Sequence, residues 1–105
     1  MVKRSRRGKR RMKPRWDAES HELRYGNRLV KTFHRPADNQ WLILAAFEEQ
    51  RWKRRIDDPL PPVHGLNPKE RLHATIKRLN GAMINRLIHF RGDGTGTGII
   101  WERVR

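Results

Sequence analysis

The segment from Asn67 to Met83 constrains the fold more tightly than any other part of the sequence. It opens with Asn-Pro-Lys-Glu, in which Asn67 is expected to cap a helix, Pro68 to occupy its first position and Glu70 to reach back to the cap. Four apolar residues follow at spacings of four, three and four: Leu72, Ile76, Leu79 and Met83. These spacings confine the four side chains to about 60° of the helix circumference. The sequence therefore predicts an amphipathic helix with one buried face.

The segment after this helix predicts a β-hairpin. Two apolar stretches, 87–91 and 99–104, flank a glycine-rich stretch at 92–98, which is expected to form a long, flexible tip. A nucleotide-binding loop is excluded, because such a loop needs a helix directly after its glycines and Ile99-Ile100-Trp101 is typical of a strand. The expected buried side chains of the hairpin are Ile88, Phe90, Ile99 or Ile100, and Trp101.

The first half of the chain predicts a hairpin, a helix and a loop. Residues 21–33 carry two apolar clusters around Gly26-Asn27, a pair that suits a tight turn. Gln40–Arg51 predicts a core helix, because Trp41–Phe47 is apolar nearly all round, with Asp38 or Asn39 as its cap. The proline-rich stretch to Gly65 predicts a loop, in which Asp58 and Pro59 are expected to start one short helical turn.

The positive charge of the chain is concentrated at its start. The 105 residues include 25 Lys and Arg against 11 Asp and Glu, a net charge of +14. Residues 1–15 hold nine of these cations and no acid, which leaves +5 for residues 16–105. The first stretch is too polar to fold alone and predicts a disordered basic arm, followed by one domain over 16–105. The arm cations are Lys3, Arg4, Arg6, Arg7, Lys9, Arg10, Arg11, Lys13 and Arg15.

Several classes of protein are not expected from this composition. The chain has no cysteine, which excludes disulfides, thiolate zinc sites and a cysteine nucleophile. None of its five histidines forms an HExxH pattern, and no Ser-His-Asp set is evident, so we expect no enzyme, metal or cofactor. The longest apolar run, Trp41–Phe47, is far shorter than the roughly 20 residues of a membrane span. We therefore expect no membrane partner, and a cytoplasmic, nucleoid-associated location.

The order of these elements is a winged-helix arrangement, in which a basic helix precedes a glycine-tipped hairpin. It resembles the OmpR-type winged-helix DNA-binding domain of bacterial response regulators over roughly residues 20–104. The similar segments are LRYGNRLVKTF, NQWLILAAFEE, RLHATIKRLNGAM and LIHFRGDGTGTGIIWERV. The resemblance implies an α+β fold with an N-terminal hairpin, core helices that include a short second helix, a recognition helix and a C-terminal wing. A basic arm stands where that family carries its receiver domain, so phosphorelay regulation is not implied.

The predicted function is binding of double-stranded DNA, as a small transcriptional regulator or accessory factor. The predicted contacts of the helix are Arg71, Ala74, Lys77 and Arg78, and those of the hairpin are Arg91 and Thr95. The arm cations are expected to contact phosphates without sequence preference. Trp16, beside the arm, is a candidate for stacking on unpaired bases. The alternatives are an RNA-associated basic protein and a winged-helix module that binds another protein.

Overall fold

A computed structural model describes residues 12–104, which form two helices and two three-stranded antiparallel sheets. The predicted α+β class is confirmed. The elements in chain order are β1 (Pro14–Asp17), β2 (Glu22–Tyr25), β3 (Arg28–Thr32), α1 (Asp38–Glu49), β4 (Arg55–Asp57), α2 (Pro68–Asn80), β5 (Ile88–Gly92) and β6 (Gly98–Arg103).

The first sheet has the order β1-β2-β3 and contains the predicted hairpin. Tyr25 pairs with Arg28 across the two-residue turn, where Gly26 has a φ of 65°. The strand β1 was not predicted, since its four residues follow a run of cations. Pro14 and Arg15 had been assigned to the arm, but they pair with Tyr25 and Arg24 of β2. The predicted boundary between residues 15 and 16 thus falls inside a strand.

The second sheet has the order β4-β6-β5, with the predicted glycine-tipped hairpin as two of its strands. Phe90 pairs with Trp101 across β5 and β6. The third strand, β4, was missed because it is three residues long and buries only Ile56, which pairs with Ile99. This added strand makes β6 the central strand of the sheet.

Both helices differ from their predictions at the ends. The first, α1, begins at Asp38 rather than Gln40; its cap is Ala37, whose side chain makes no capping bond, so the capping prediction was wrong. In α2 the Asn67 side chain accepts hydrogen bonds from the backbone N–H groups of Lys69 and Glu70, which confirms the predicted cap. This helix ends at Asn80, one turn before Met83.

No helix lies between β4 and α2 in the described part of the chain. The short helical turn predicted at Asp58-Pro59 is therefore wrong, and so is the second helix that the resemblance implied. The side chain of Asp58 instead accepts a hydrogen bond from the backbone N–H of Leu60. The backbone N–H of Asp58 donates to the backbone oxygen of Thr97 in the hairpin tip. The structure confirms the α+β class but not the winged-helix topology.

One apolar core joins both sheets and both helices. At its centre Phe47 of α1 stacks on Trp52 at a ring distance of 4.9 Å, and Trp52 meets Trp101 of β6 edge to face at 6.1 Å. Ring pairs of this kind add to the free energy gained from burial. Trp16 belongs to this core: it is buried against Phe33, so its ring is not exposed for base stacking.

Candidate nucleic-acid interface

The helix α2 separates apolar from basic side chains. Its buried side chains are Leu72, Thr75, Ile76 and Leu79, so its predicted buried face is confirmed, with Thr75 added and Met83 beyond the helix end. The opposite face exposes Lys77 and Arg78, and Ala74 is half-buried beside them. Glu70 is the acid on this face. Three of the four predicted helix contacts therefore lie together at the surface.

The fourth predicted helix contact, Arg71, is half-buried and bonded within the protein. Its guanidinium donates to the backbone oxygen of Pro61 and to the side-chain oxygen of Asn39. These bonds hold the proline-rich loop and the start of α1 against α2. In this structure Arg71 positions the helix, and its charge lies at the edge of the exposed face.

The tip of the β5–β6 hairpin is closed by side-chain hydrogen bonds. One carboxylate oxygen of Asp93 accepts from the backbone N–H and the hydroxyl of Thr95, at 2.9 and 2.6 Å. Its other oxygen lies 2.7 Å from Nε of Arg55 on β4. These bonds hold the pKa of Asp93 well below its usual range, with the Thr95 hydroxyl as the largest cause. Side-chain hydrogen bonds thus close the predicted tip, and the hydroxyl of the predicted contact Thr95 is bonded to Asp93.

Two glycines let side chains lie directly against this tip. A Cβ at Gly98 would overlap the Asp93 carboxylate and the Arg55 guanidinium. A Cβ at Gly96, where φ is 85°, would overlap the side chain of Lys69, which therefore crosses the tip from the first turn of α2. The hairpin and the start of the helix form one continuous surface.

A groove of about 420 Å³ lies between α2 and the tip. Lys69 and His73, one helical turn apart, contribute its polar side chains from α2, and backbone of the glycine-rich tip forms the opposite wall. Neither residue is among the contacts predicted from the sequence. Their spacing of four indicates a shared flank of the helix, but only the packing shows that this flank faces the hairpin.

The remaining predicted contacts belong to the hairpin and to the basic arm. Arg91 lies on β5 and forms an ion pair with Glu102 of β6, with 2.6 Å between Nε and Oε2. Lys13 donates to the backbone oxygen of Arg51, and Arg15 is exposed on β1. The other arm cations, residues 3–11, lie outside the described residues.

A buried cation that the sequence analysis missed lies at the carboxyl end of α2. Lys31 of β3 is 5% exposed. Its ammonium nitrogen lies 2.7 to 3.2 Å from the backbone oxygens of Arg78, Leu79 and Gly81 and the side-chain oxygen of Gln40, so its three N–H groups are shared among four acceptors. Burial lowers the pKa of Lys31 to about 8. This side chain satisfies the carbonyl groups that a helix leaves without partners at its end.

Comparisons with protein-family profiles, curated proteins and solved structures returned no match to this chain, so its function has to be inferred from its own residues. Between residues 12 and 104, no three His, Asp or Glu side chains are grouped so that they could hold a metal ion. No helix in that range is long and apolar enough to span a bilayer.

Proposed function

We propose that this protein binds double-stranded DNA through a winged-helix mode, with the exposed face of α2 in the major groove and the β5–β6 hairpin beside it. The observation that carries this proposal is the continuity of α2 and the hairpin. Lys77 and Arg78 lie on the helix face opposite the core, and Lys69 crosses the hairpin tip at the start of the same helix.

The size and charge of this surface fit a duplex. A helix with its side chains is about 10–12 Å across, and the major groove is about 12 Å wide. Ala74, between the cations, leaves the helix backbone accessible to a close partner. At the tip, the carboxylate of Asp93 is paired with Arg55, which reduces its repulsion of a phosphate backbone.

This binding mode supports a role as a small transcriptional regulator or accessory factor. The lysines and arginines of residues 3–11 would add affinity through phosphate contacts. Recognition of base edges would come from α2, because the major groove displays a distinct pattern for each base pair.

The test is duplex binding by fluorescence anisotropy, with Lys77→Ala and Arg78→Ala combined. Alanine favours the helix, so the fold should be retained, and circular dichroism checks this. We expect the affinity to fall about tenfold or more and the slope of log affinity against log salt to drop by about 1.8, for two lost phosphate contacts.

The matched control removes two exposed arginines elsewhere, Arg28→Ala and Arg35→Ala. An equal loss of duplex affinity in this control would show that only net charge matters and would overturn docking through α2.

A protein without residues 2–11 should bind duplex more weakly, but its affinity should still fall with the α2 substitutions. Binding that disappears with those residues, and does not distinguish duplex from RNA, would favour the RNA-associated alternative. Absence of nucleic-acid binding would favour a protein partner.

A further inference from the structure

A second basic surface lies apart from the residues of α2 and the hairpin tip discussed above. It is a groove of about 760 Å³ between the start of the described chain, the segment after α1 and the end of β6. Its volume is within the roughly 300–1,000 Å³ of ligand-binding clefts. We call it the basic groove; its cations are Lys13, Lys53, Arg54 and Arg103.

The charges of the basic groove are largely uncompensated. All four cations are exposed, and in the described part of the chain none of them forms an ion pair. The groove has one acidic side chain, Glu102, whose carboxylate is already paired with Arg91. Like charges around one concavity repel each other, and an anion bound between them would relieve that repulsion.

Buried aromatic side chains form a fixed wall beneath these cations: Tyr25, Trp52 and Trp101 are each only 3–7% exposed. Trp101 donates from its ring nitrogen to the backbone oxygen of Trp52 at 3.0 Å, and Tyr25 meets Trp101 edge to face at 6.2 Å. The guanidinium of Arg54 lies 5.2 Å from the centre of the Trp101 ring. This contact keeps Arg54 close to the wall while it stays exposed. The buried rings thus fix the shape of the groove, and the exposed cations at its rim are the groups that a ligand can contact.

Further cations directly precede the groove residues in the sequence. Met12 lines the groove, and the residues directly before it include seven Lys and Arg between positions 3 and 11. A long, flexible polyanion that entered the groove would therefore meet further cations at the same end. A small anion would not use this extension.

We propose that the basic groove binds single-stranded nucleic acid, with its phosphates near Lys13, Lys53 and Arg103. A positively charged groove that follows the phosphate backbone is typical of proteins that bind single strands without sequence preference. A duplex is a stiff cylinder and a bilayer is a broad surface, so neither enters a cleft of this size. A single strand is flexible enough to do so. The proposal does not depend on duplex binding through α2.

The test measures anisotropy of labelled oligothymidylate, and of oligouridylate of the same length, with full-length protein. Lys53→Ser and Arg103→Ser are combined, since both side chains are exposed. We expect about a tenfold loss of single-strand affinity and a salt slope smaller by about 1.4, for two lost contacts. Duplex affinity should change by less than about twofold, because its proposed contacts lie on α2. Comparison of the affinities for oligothymidylate and oligouridylate shows whether DNA or RNA strands are preferred.

Two matched variants locate the site. Arg28→Ser with Arg35→Ser removes the same charge elsewhere, and Lys77→Ala with Arg78→Ala removes it from α2; neither should reduce single-strand affinity as much. Photocrosslinking of a bromouracil-substituted strand, mapped by mass spectrometry, should label peptides that contain Met12, whose side chain is exposed at the groove. Equal losses in all three variants, or crosslinks confined to α2, would overturn the proposal. So would equal competition by an acidic polypeptide of the same charge, or binding to anionic vesicles in preference to strands.

Discussion

The two ends of α2 are held by different means. At the first end, one side chain close in sequence, Asn67, accepts the hydrogen bonds of two backbone N–H groups. At the last end, Lys31 reaches from β3, some fifty residues away, to three backbone carbonyl oxygens. Asn80 adds a pair of bonds to the backbone of Phe90 on β5, at 2.8 and 2.9 Å. The first end is therefore a local structure, whereas the last end joins the helix to both sheets.

This difference determines how each end should respond to substitution. Loss of the local cap removes acceptors from N–H groups that water can reach. Loss of Lys31 removes the donor of the Leu79 and Gly81 carbonyl groups inside the protein, which costs more; the Arg78 carbonyl keeps the backbone N–H of Gly81. The last end should therefore contribute more to the position of α2, and with it to any surface that α2 forms with the hairpin.

The largest expected effect is that of Lys31→Met, which keeps most of the side-chain volume and removes the ammonium. Buried acceptors left without donors cost about 1–3 kcal/mol each, although water can reach some of them. We expect the free energy of unfolding in urea to fall by about 3 kcal/mol. The control, Lys77→Met on the exposed face of the same helix, should change it by less than about 0.5 kcal/mol. Similar values for the two variants would remove the distinction between the ends.

A second effect is expected from pH, through the same lysine. The pKa of Lys31 is lowered to about 8, below its value of 10.5 in an unfolded chain. Between these values the unfolded chain binds more protons than the folded one, so the free energy of unfolding should rise with pH across this window. The difference between the parent protein and Lys31→Met isolates this effect from other groups that titrate there. A difference that is constant, or that falls, from pH 8 to 10.5 would contradict the assignment.

The hairpin tip that packs on the first end of α2 gives an intermediate effect. Gly98→Ala would place a Cβ against the Asp93–Arg55 ion pair and force it to move. We expect a loss of about 1–2 kcal/mol in unfolding free energy, as in other overpacked sites. Gly92→Ala is the matched control, because the nearest atom to its Cβ would be 4.0 Å away. Amide exchange at Thr95 should become faster in Gly98→Ala and stay unchanged in the control.

The smallest effect is expected at the cap itself. Asn67→Ala should cost about 1 kcal/mol, the usual value for loss of a capping side chain. Asn67→Asp keeps an acceptor at the same place and should cost much less. If Asn67→Ala were as damaging as Lys31→Met in the same urea titration, the first end would not be the local structure described here.

The surface positions expected for the predicted contact residues agree only in part with the structure, for reasons that particular residues make clear. Lys77 and Arg78 are exposed as predicted, because the spacing of Leu72, Ile76 and Leu79 already determines the opposite face. Arg71 and Arg91 are engaged with Asn39 and Glu102. A sequence shows that a residue is charged, but its partner is chosen by packing. The basic groove could not be predicted for the same reason, because its cations are spread over ninety positions and come together only in the folded chain.

The sequence by itself determined those features that arise within one turn of helix or one hairpin: the Asn67 cap, the buried stripe of α2, the turn at Gly26-Asn27 and the α+β class. Their causes are short-range, since capping bonds, helical periodicity and backbone freedom at glycine act between near neighbours. The tertiary structure alone decided that α2 ends at Asn80, that β4 joins the hairpin and that the tip is closed by Arg55. Each of these depends on side chains that are distant in sequence and become neighbours when the core forms.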